Sequence, residues 1–203
     1  MKLNLTKLKL NLFGYVLIAF MLVMMVKIYM DSGHFKLKCI VSDVDGNKYC
    51  VREREKLELV ADKLARTTQK LRKVVNHMGE KYPDRENVKR LVKGFNPKKI
   101  YEILPTSKYT AYSENKGQKL AFCVTKTKEG DNLIDDNTLM FVALHEISHI
   151  ATKSIGHKQE FWDNFKFILE EAVEIKIYKP VDYKKKPISY CSLNITDNPY
   201  FDM

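Results

Sequence analysis

From Leu139 to Ile150 the chain reads Leu-Met-Phe-Val-Ala-Leu-His-Glu-Ile-Ser-His-Ile, a mostly apolar run that implies a helix buried on most of its sides. Such a helix belongs inside a fold, with Asp136 or Asn137 placed to cap its start. His145, Glu146 and His149 are then carried into a core, where a polar group without a partner costs free energy. The helix needs other elements around it, and the three polar residues need something to bind. These demands exclude a disordered or low-complexity chain. Composition agrees, with 8 Gly and 6 Pro in 203 residues and 45% hydrophobic content.

His145 and His149 stand four residues apart, so both imidazoles rise from one helical face and can reach a single ion. Glu146, next to the first of them, falls beside such an ion and not on it. There it can take a proton from a water molecule made acidic by the metal, and later pass that proton to a leaving group. His157 follows after Ser154-Ile155-Gly156, where Gly156 can reverse the chain. Three imidazoles plus water leave the open position of a catalytic Zn²⁺ site, so the metal ligands are read as His145, His149 and His157, with Glu146 as base. Glu170 and Glu171 compete for the third place, and Glu160 does so more weakly. His34 and His77 read as isolated surface residues.

The rest of the chain reads as mixed α+β. Phe35 to Arg52 is predicted as two strands about an Asp45-Gly46 turn; Asp43 to Asn47 lacks the spacing of a calcium loop. Leu57, Val60, Leu64, Leu71, Val74 and Met78 recur at steps of three and four through the charged stretch Glu53 to Glu80, a long amphipathic helix with its stripe on the core. Pro83, Gly94, Pro97 and Pro105 leave room for one short helix, Glu86 to Lys93. Tyr109 to Ser113 and Lys119 to Thr125 form a hairpin about Asn115-Lys116-Gly117, and Glu129 to Asp135 a polar loop. The buried helix runs from about Asn137 to Lys153. Phe161, Phe165, Ile168, Ala172 and Ile175 mark a last helix, about Lys158 to Ile177, with Phe161, Trp162 and Phe165 as core bracing the His157 turn. Prolines 180, 187 and 199 predict an irregular tail.

Leu12 to Val26 is unbroken apolar sequence, extended past Lys27 by Ile28-Tyr29-Met30. At 1.5 Å per residue it approaches the ~30 Å bilayer core, so a single membrane-spanning anchor is expected over residues 1–30. No small-x-small cleavage site follows it. Lys2, Lys7 and Lys9 before the span balance Lys27, Lys36 and Lys38 after it, which leaves orientation open. One domain, 31–203, follows: hairpin and long helix (31–105), metal-binding core (106–178) and tail (179–203). The net charge of +10 bears on encounter and solubility, and no nucleic-acid partner is expected from it. Lys184-Lys185-Lys186 reads as a solvated loop. Four cysteines, Cys39, Cys50, Cys123 and Cys191, are expected as free, mostly buried thiols. A two-residue turn at Asp45-Gly46 would set Cys50 opposite Val41, leaving Cys39 on a diagonal too wide for a bridge.

His145-Glu146-Ile147-Ser148-His149, then Gly156-His157-Lys158-Gln159-Glu160-Phe161-Trp162, resembles zincin metallopeptidases of the WLM and SprT-like kind, which share H-E-x-x-H, a third His and an aromatic pair. Asn137 to Glu146, with Tyr183 and Tyr190-Cys191, resembles uncharacterised WLM-like proteins of large DNA viruses of algae and protists. The resemblance covers about Tyr109 to Phe201, most closely Asn137 to Phe167. It implies a minigluzincin-like core, zinc and peptide-bond hydrolysis, with a protein or peptide as substrate. The gap between second and third His is longer than in many WLM members. The DNA-crosslinked substrates of soluble relatives do not carry over to a chain that begins with a membrane span. Lys119 to Thr125 is the expected edge strand for pairing with substrate, with an interior strand as the alternative. Tyr183 and Tyr190 are candidates for stabilising an oxyanion. Two further readings stay open: a membrane-anchored structural or virion protein on the same scaffold with little turnover, and a DNA-associated repair protease. Oligomeric state is not legible.

Overall fold

A computed structural model describes residues 11–31 and 37–202, without the side chains of 29–31. Lys2, Lys7, Lys9, His34, Phe35 and Lys36, all used in the sequence reading, lie outside the described residues. The chain divides into two units, Met1–Lys36 and Leu37–Met203. In the first, helix α1 (Leu12–Asp31) carries large apolar side chains that are exposed from Leu12 to Ile28. Among the described residues no helix is long and apolar enough to cross a membrane.

The second unit is mixed α+β. It runs β1 (Leu37–Val41), β2 (Lys48–Arg52), α2 (Leu57–Lys81), α3 (Glu86–Gly94), β3 (Ile100–Glu102), β4 (Ala111–Glu114), β5 (Lys119–Phe122), α4 (Asp136–Ala151) and α5 (Gln159–Glu174), then β6 (Ile188–Tyr190), β7 (Leu193–Ile195) and a 3-10 turn, Pro199–Phe201. Five strands form one sheet in the order β1-β2-β3-β5-β4. The three central strands are mutually parallel, and β1 and β4 run antiparallel at the two edges. Val60, Leu64, Leu71, Val74 and Met78 of α2 are buried, as the periodicity predicts, while Leu57 is only half-buried. Of α4, twelve of its 16 residues are buried, so the apolar run is enclosed nearly all round. Its cap is Asp135, one residue before those expected, whose carboxylate accepts the Thr138 N–H at 2.9 Å.

Four expectations are corrected. All four cysteines are paired, Cys39 with Cys50 and Cys123 with Cys191. The connection between β1 and β2 is longer than two residues: Ser42 N–H donates to Asn47 O and Gly46 N–H to Ser42 O, with Gly46 at φ 69°. Val41 therefore faces Lys48 and Cys39 faces Cys50 directly, with Cα atoms 3.8 Å apart. Second, the short strand β3 enters beside β5, so Lys119–Phe122 is interior and the edge on that side of the sheet belongs to β4. Third, the tail is not wholly irregular, because Cys191 and Ser192, at φ 52° and 65°, turn β6 back onto β7. Cys123 then ties the end of β5 to that turn. Fourth, Trp162 is 41% exposed, whereas Phe161 and Phe165 are buried.

Candidate metal centre

His145 and His149 rise from the exposed margin of α4, one turn apart, each half-buried. The chain leaves α4 at Thr152, reverses at Gly156 (φ 79°) and returns as α5 from Gln159, which sets His157 over the same face. The three Nε2 atoms converge: His157 Nε2 lies 3.1 Å from His145 Nε2 and 3.2 Å from His149 Nε2. Phe161, fully buried on the first turn of α5, is the common floor. Its ring centroid lies 4.8, 4.3 and 4.6 Å from those of His145, His149 and His157.

Burial, then repulsion from the other two imidazoles, pushes the His145 pKa down to about 3. Burial, then His157 and Lys116, takes His149 to about 4, and burial also lowers His157. The histidines are held neutral, the form in which imidazole ligates a metal. Three neutral rings whose Nε2 atoms meet at one point cannot all find a proton donor there. A tetrahedral ion with Zn–N bonds of 2.0–2.1 Å would hold its nitrogens about 3.3 Å apart, close to the spacing observed. The donor set therefore fits zinc.

Glu146, on the same helix, is only 5% exposed though it lines the cleft, and burial pushes its pKa up to about 8. Tyr190 is buried with its hydroxyl donating to Thr110 O at 3.1 Å, and burial followed by the nearby Glu146 carboxyl raises its pKa well above the usual. Tyr183 is also buried, with its ring 5.0 Å from Phe141 in the core. Neither tyrosine is among the residues that line the cleft in front of the histidines, although the Tyr190 hydroxyl bonds to Thr110, which does line it.

That cleft has a volume of about 1220 Å³. One wall is the segment Ser107 to Lys116, including all of β4; the other is formed by the three histidines, Glu146 and the Ile155-Gly156 turn. Thr110 O accepts the Cys123 N–H, so Thr110 and Tyr112 are the hydrogen-bonded partners across to β5. By the antiparallel alternation, Ala111 and Ser113 turn their backbone N–H and C=O groups toward the open edge.

The rival ligands are engaged elsewhere. Glu171 accepts from Tyr82 Oη at 2.7 Å and Lys81 Nζ at 3.1 Å and lies 3.0 Å from His77 Nε2. His77 is therefore not isolated but part of a bracket between α2 and α5. Glu170 is exposed. Glu160 accepts the backbone N–H of Lys153 at 2.9 Å and of Ser154 at 3.0 Å, bonds that hold its pKa down at about 2. Two features escaped the sequence reading: β4 as the exposed edge, and Lys116, which reaches the end of α4. The only early trace of the second was the turn signal Asn115-Lys116-Gly117.

No family model matches this chain, and no solved structure matches it. Its relatives are uncharacterised proteins of large DNA viruses. It is 28% identical to the uncharacterised protein R325 of Acanthamoeba polyphaga mimivirus over 163 residues, 78% of this chain and 82% of the relative. Over 69 residues, 34% of this chain and 38% of the relative, it is 39% identical to the uncharacterised protein 136R of Invertebrate iridescent virus 6. Uncharacterised protein 042R of Invertebrate iridescent virus 3 is 35% identical over 85 residues, 41% of this chain and 50% of that protein.

Proposed function

We propose that this chain is a zinc-dependent metallopeptidase of the zincin type, most like WLM and SprT-like enzymes, tethered to a membrane by α1. The observation that carries the reading is the convergence of His145, His149 and His157 on one point, with Glu146 beside them at the head of an open cleft. His145, His149 and His157 would hold the ion. When bound, zinc supplies Lewis acidity, raising the acidity of water and polarising a carbonyl. Glu146 takes the proton from the attacking water and delivers it to the departing amide nitrogen. Its ordinary state is a proton acceptor only where a nearby cation offsets its burial, so base and ion are needed together. Ala111 and Ser113 pair with the substrate backbone, laying an extended polypeptide along β4 past Glu146. The exposed apolar side chains of α1, from Leu12 to Ile28, support the anchor.

The test is metal content and cleavage of an unfolded protein, measured on the same samples of full-length chain. The wild type is expected to hold one zinc and cut. Glu146→Gln is expected to keep the zinc and lose about 10²–10⁴ in rate, the range of general acid–base contributions. A folded wild type that takes up no zinc overturns the reading. Zinc uptake with no cleavage of any unfolded protein leaves the scaffold reading as the better one.

A further inference from the structure

The loop that carries His157 packs on very little. Ile155 is 85% exposed, and a Cβ added at Gly156 would meet nothing within 4 Å. Its position therefore depends on polar grips at its start. One is Glu160, on the Lys153 and Ser154 amides. The other is Lys116, whose Nζ donates to the carbonyl oxygens of His149 at 3.1 Å, Thr152 at 2.7 Å and Ser154 at 2.9 Å. An ammonium has three donors, and here all three are used on the negative end of α4 and the first residues beyond it.

Lys116 is itself fixed from behind. Asn115, Lys116 and Gly117 all have positive φ, at 46°, 55° and 100°, a costly conformation for the first two. The turn is wedged between α3 and α4: a Cβ at Gly117 would come within 2.3 Å of Gly94 O and 2.7 Å of Ile150 Cδ1. On Gly94 it would come within 2.7 Å of Lys116 O. This turn is also the end of β4, the strand that forms the opposite wall of the cleft.

We infer that Lys116 is a positioning residue for the metal centre: it sets the His157 loop against α4 and holds both in register with the β4 edge. The inference rests on the metallopeptidase reading for its purpose, but the grip itself is measurable without it. In full-length protein, Lys116→Met keeps the length of the side chain and removes its donors. Zn²⁺ affinity by competition with a chromogenic chelator is expected to fall 10–100-fold, the range for partners that orient metal ligands. In metal-free protein, amides 153–157 are expected to exchange at least about tenfold faster, while those of α2 and β5 are unchanged. Lys116→Arg, with donors retained, is expected to stay within about fivefold of wild type.

Unchanged zinc affinity and loop exchange in Lys116→Met overturns the inference. So does equal loss in the Arg and Met variants, because shape and not donation would then be what matters. If the wild type binds no zinc, the metal reading falls, and loop exchange alone decides the role of Lys116: faster exchange upholds it and unchanged exchange overturns it.

Discussion

Two clusters among the described residues bring histidine or carboxylate groups within ligating distance of one another: His145, His149 and His157 at the cleft, and His77, Glu171 and Glu174 between α2 and α5. The second contains its own cation. Lys81 Nζ lies 3.1 Å from Glu171 and 2.5 Å from Glu174, and Tyr82 and His77 complete the bonding of Glu171. In the first, the imidazole Nε2 atoms meet one another, and the ammonium of Lys116 is spent on backbone carbonyls. Closeness of ligands alone does not make a metal site; what matters is whether their lone pairs already have donors. One cluster is a structural bracket, and the other keeps three imidazoles whose nitrogens could hold a metal ion.

The largest expected effect separates the two directly. His149→Ala should weaken Zn²⁺ binding by more than about 100-fold, beyond the 10–100-fold typical of outer partners, whereas Glu171→Gln should leave it unchanged. Equal loss from both in chelator competition would erase the distinction. The bracket should instead show itself in stability. Glu171→Ala leaves His77, Lys81 and Tyr82 short of an acceptor and should cost about 1–3 kcal/mol in urea unfolding, with metal affinity intact.

A pH series sharpens the picture of the cleft. In metal-free Glu146→Gln, the buried acid no longer contributes, and the histidines dominate. Their folded pKa values, about 3 for His145 and about 4 for His149, lie below the unfolded value of 6.5, so between those limits the unfolded chain binds more protons. Stability should therefore be full above about pH 6.5 and fall progressively as the solution is acidified toward pH 4, with added zinc opposing the fall near neutrality. A melting temperature that stays flat from pH 7 to 5 would mean that the rings are solvated and not held together. The smallest effect is expected at the rim of the bracket. Glu174 is more than half exposed, and Glu174→Gln should change stability by no more than about 0.5 kcal/mol. A larger loss would make Lys81 dependent on Glu174 rather than on Glu171.

Much of this was legible along the chain because it is written in local spacing. The apolar enclosure of α4, the i,i+4 pair, the glycine before His157 and the stripe of α2 are all properties of neighbours in sequence, and each appears where the spacing puts it. The placing of Glu171 away from the histidine cluster was not local. Glu171 is close enough along the chain to have served, but α5 turns it toward His77, Lys81 and Tyr82 on α2, far away in sequence. The cysteines failed for a related reason. A longer loop at Ser42 to Asn47 shifts the register so that Cys39 meets Cys50, and hydrogen bonds within the loop, rather than the Asp45-Gly46 pair alone, decide its length.

Residue types and their periods by themselves determined that there is a buried helix, that two imidazoles share one of its faces, that a glutamate stands beside them and that a third histidine can return to them. These follow from the 3.6-residue turn and from the cost of burying an unpartnered polar group. Tertiary structure alone decided which strand is the free edge, which carboxylates are already spoken for and how the His157 loop is gripped. Those outcomes depend on β3 entering beside β5 and on Lys116 reaching the end of α4, contacts between segments that no local pattern specifies.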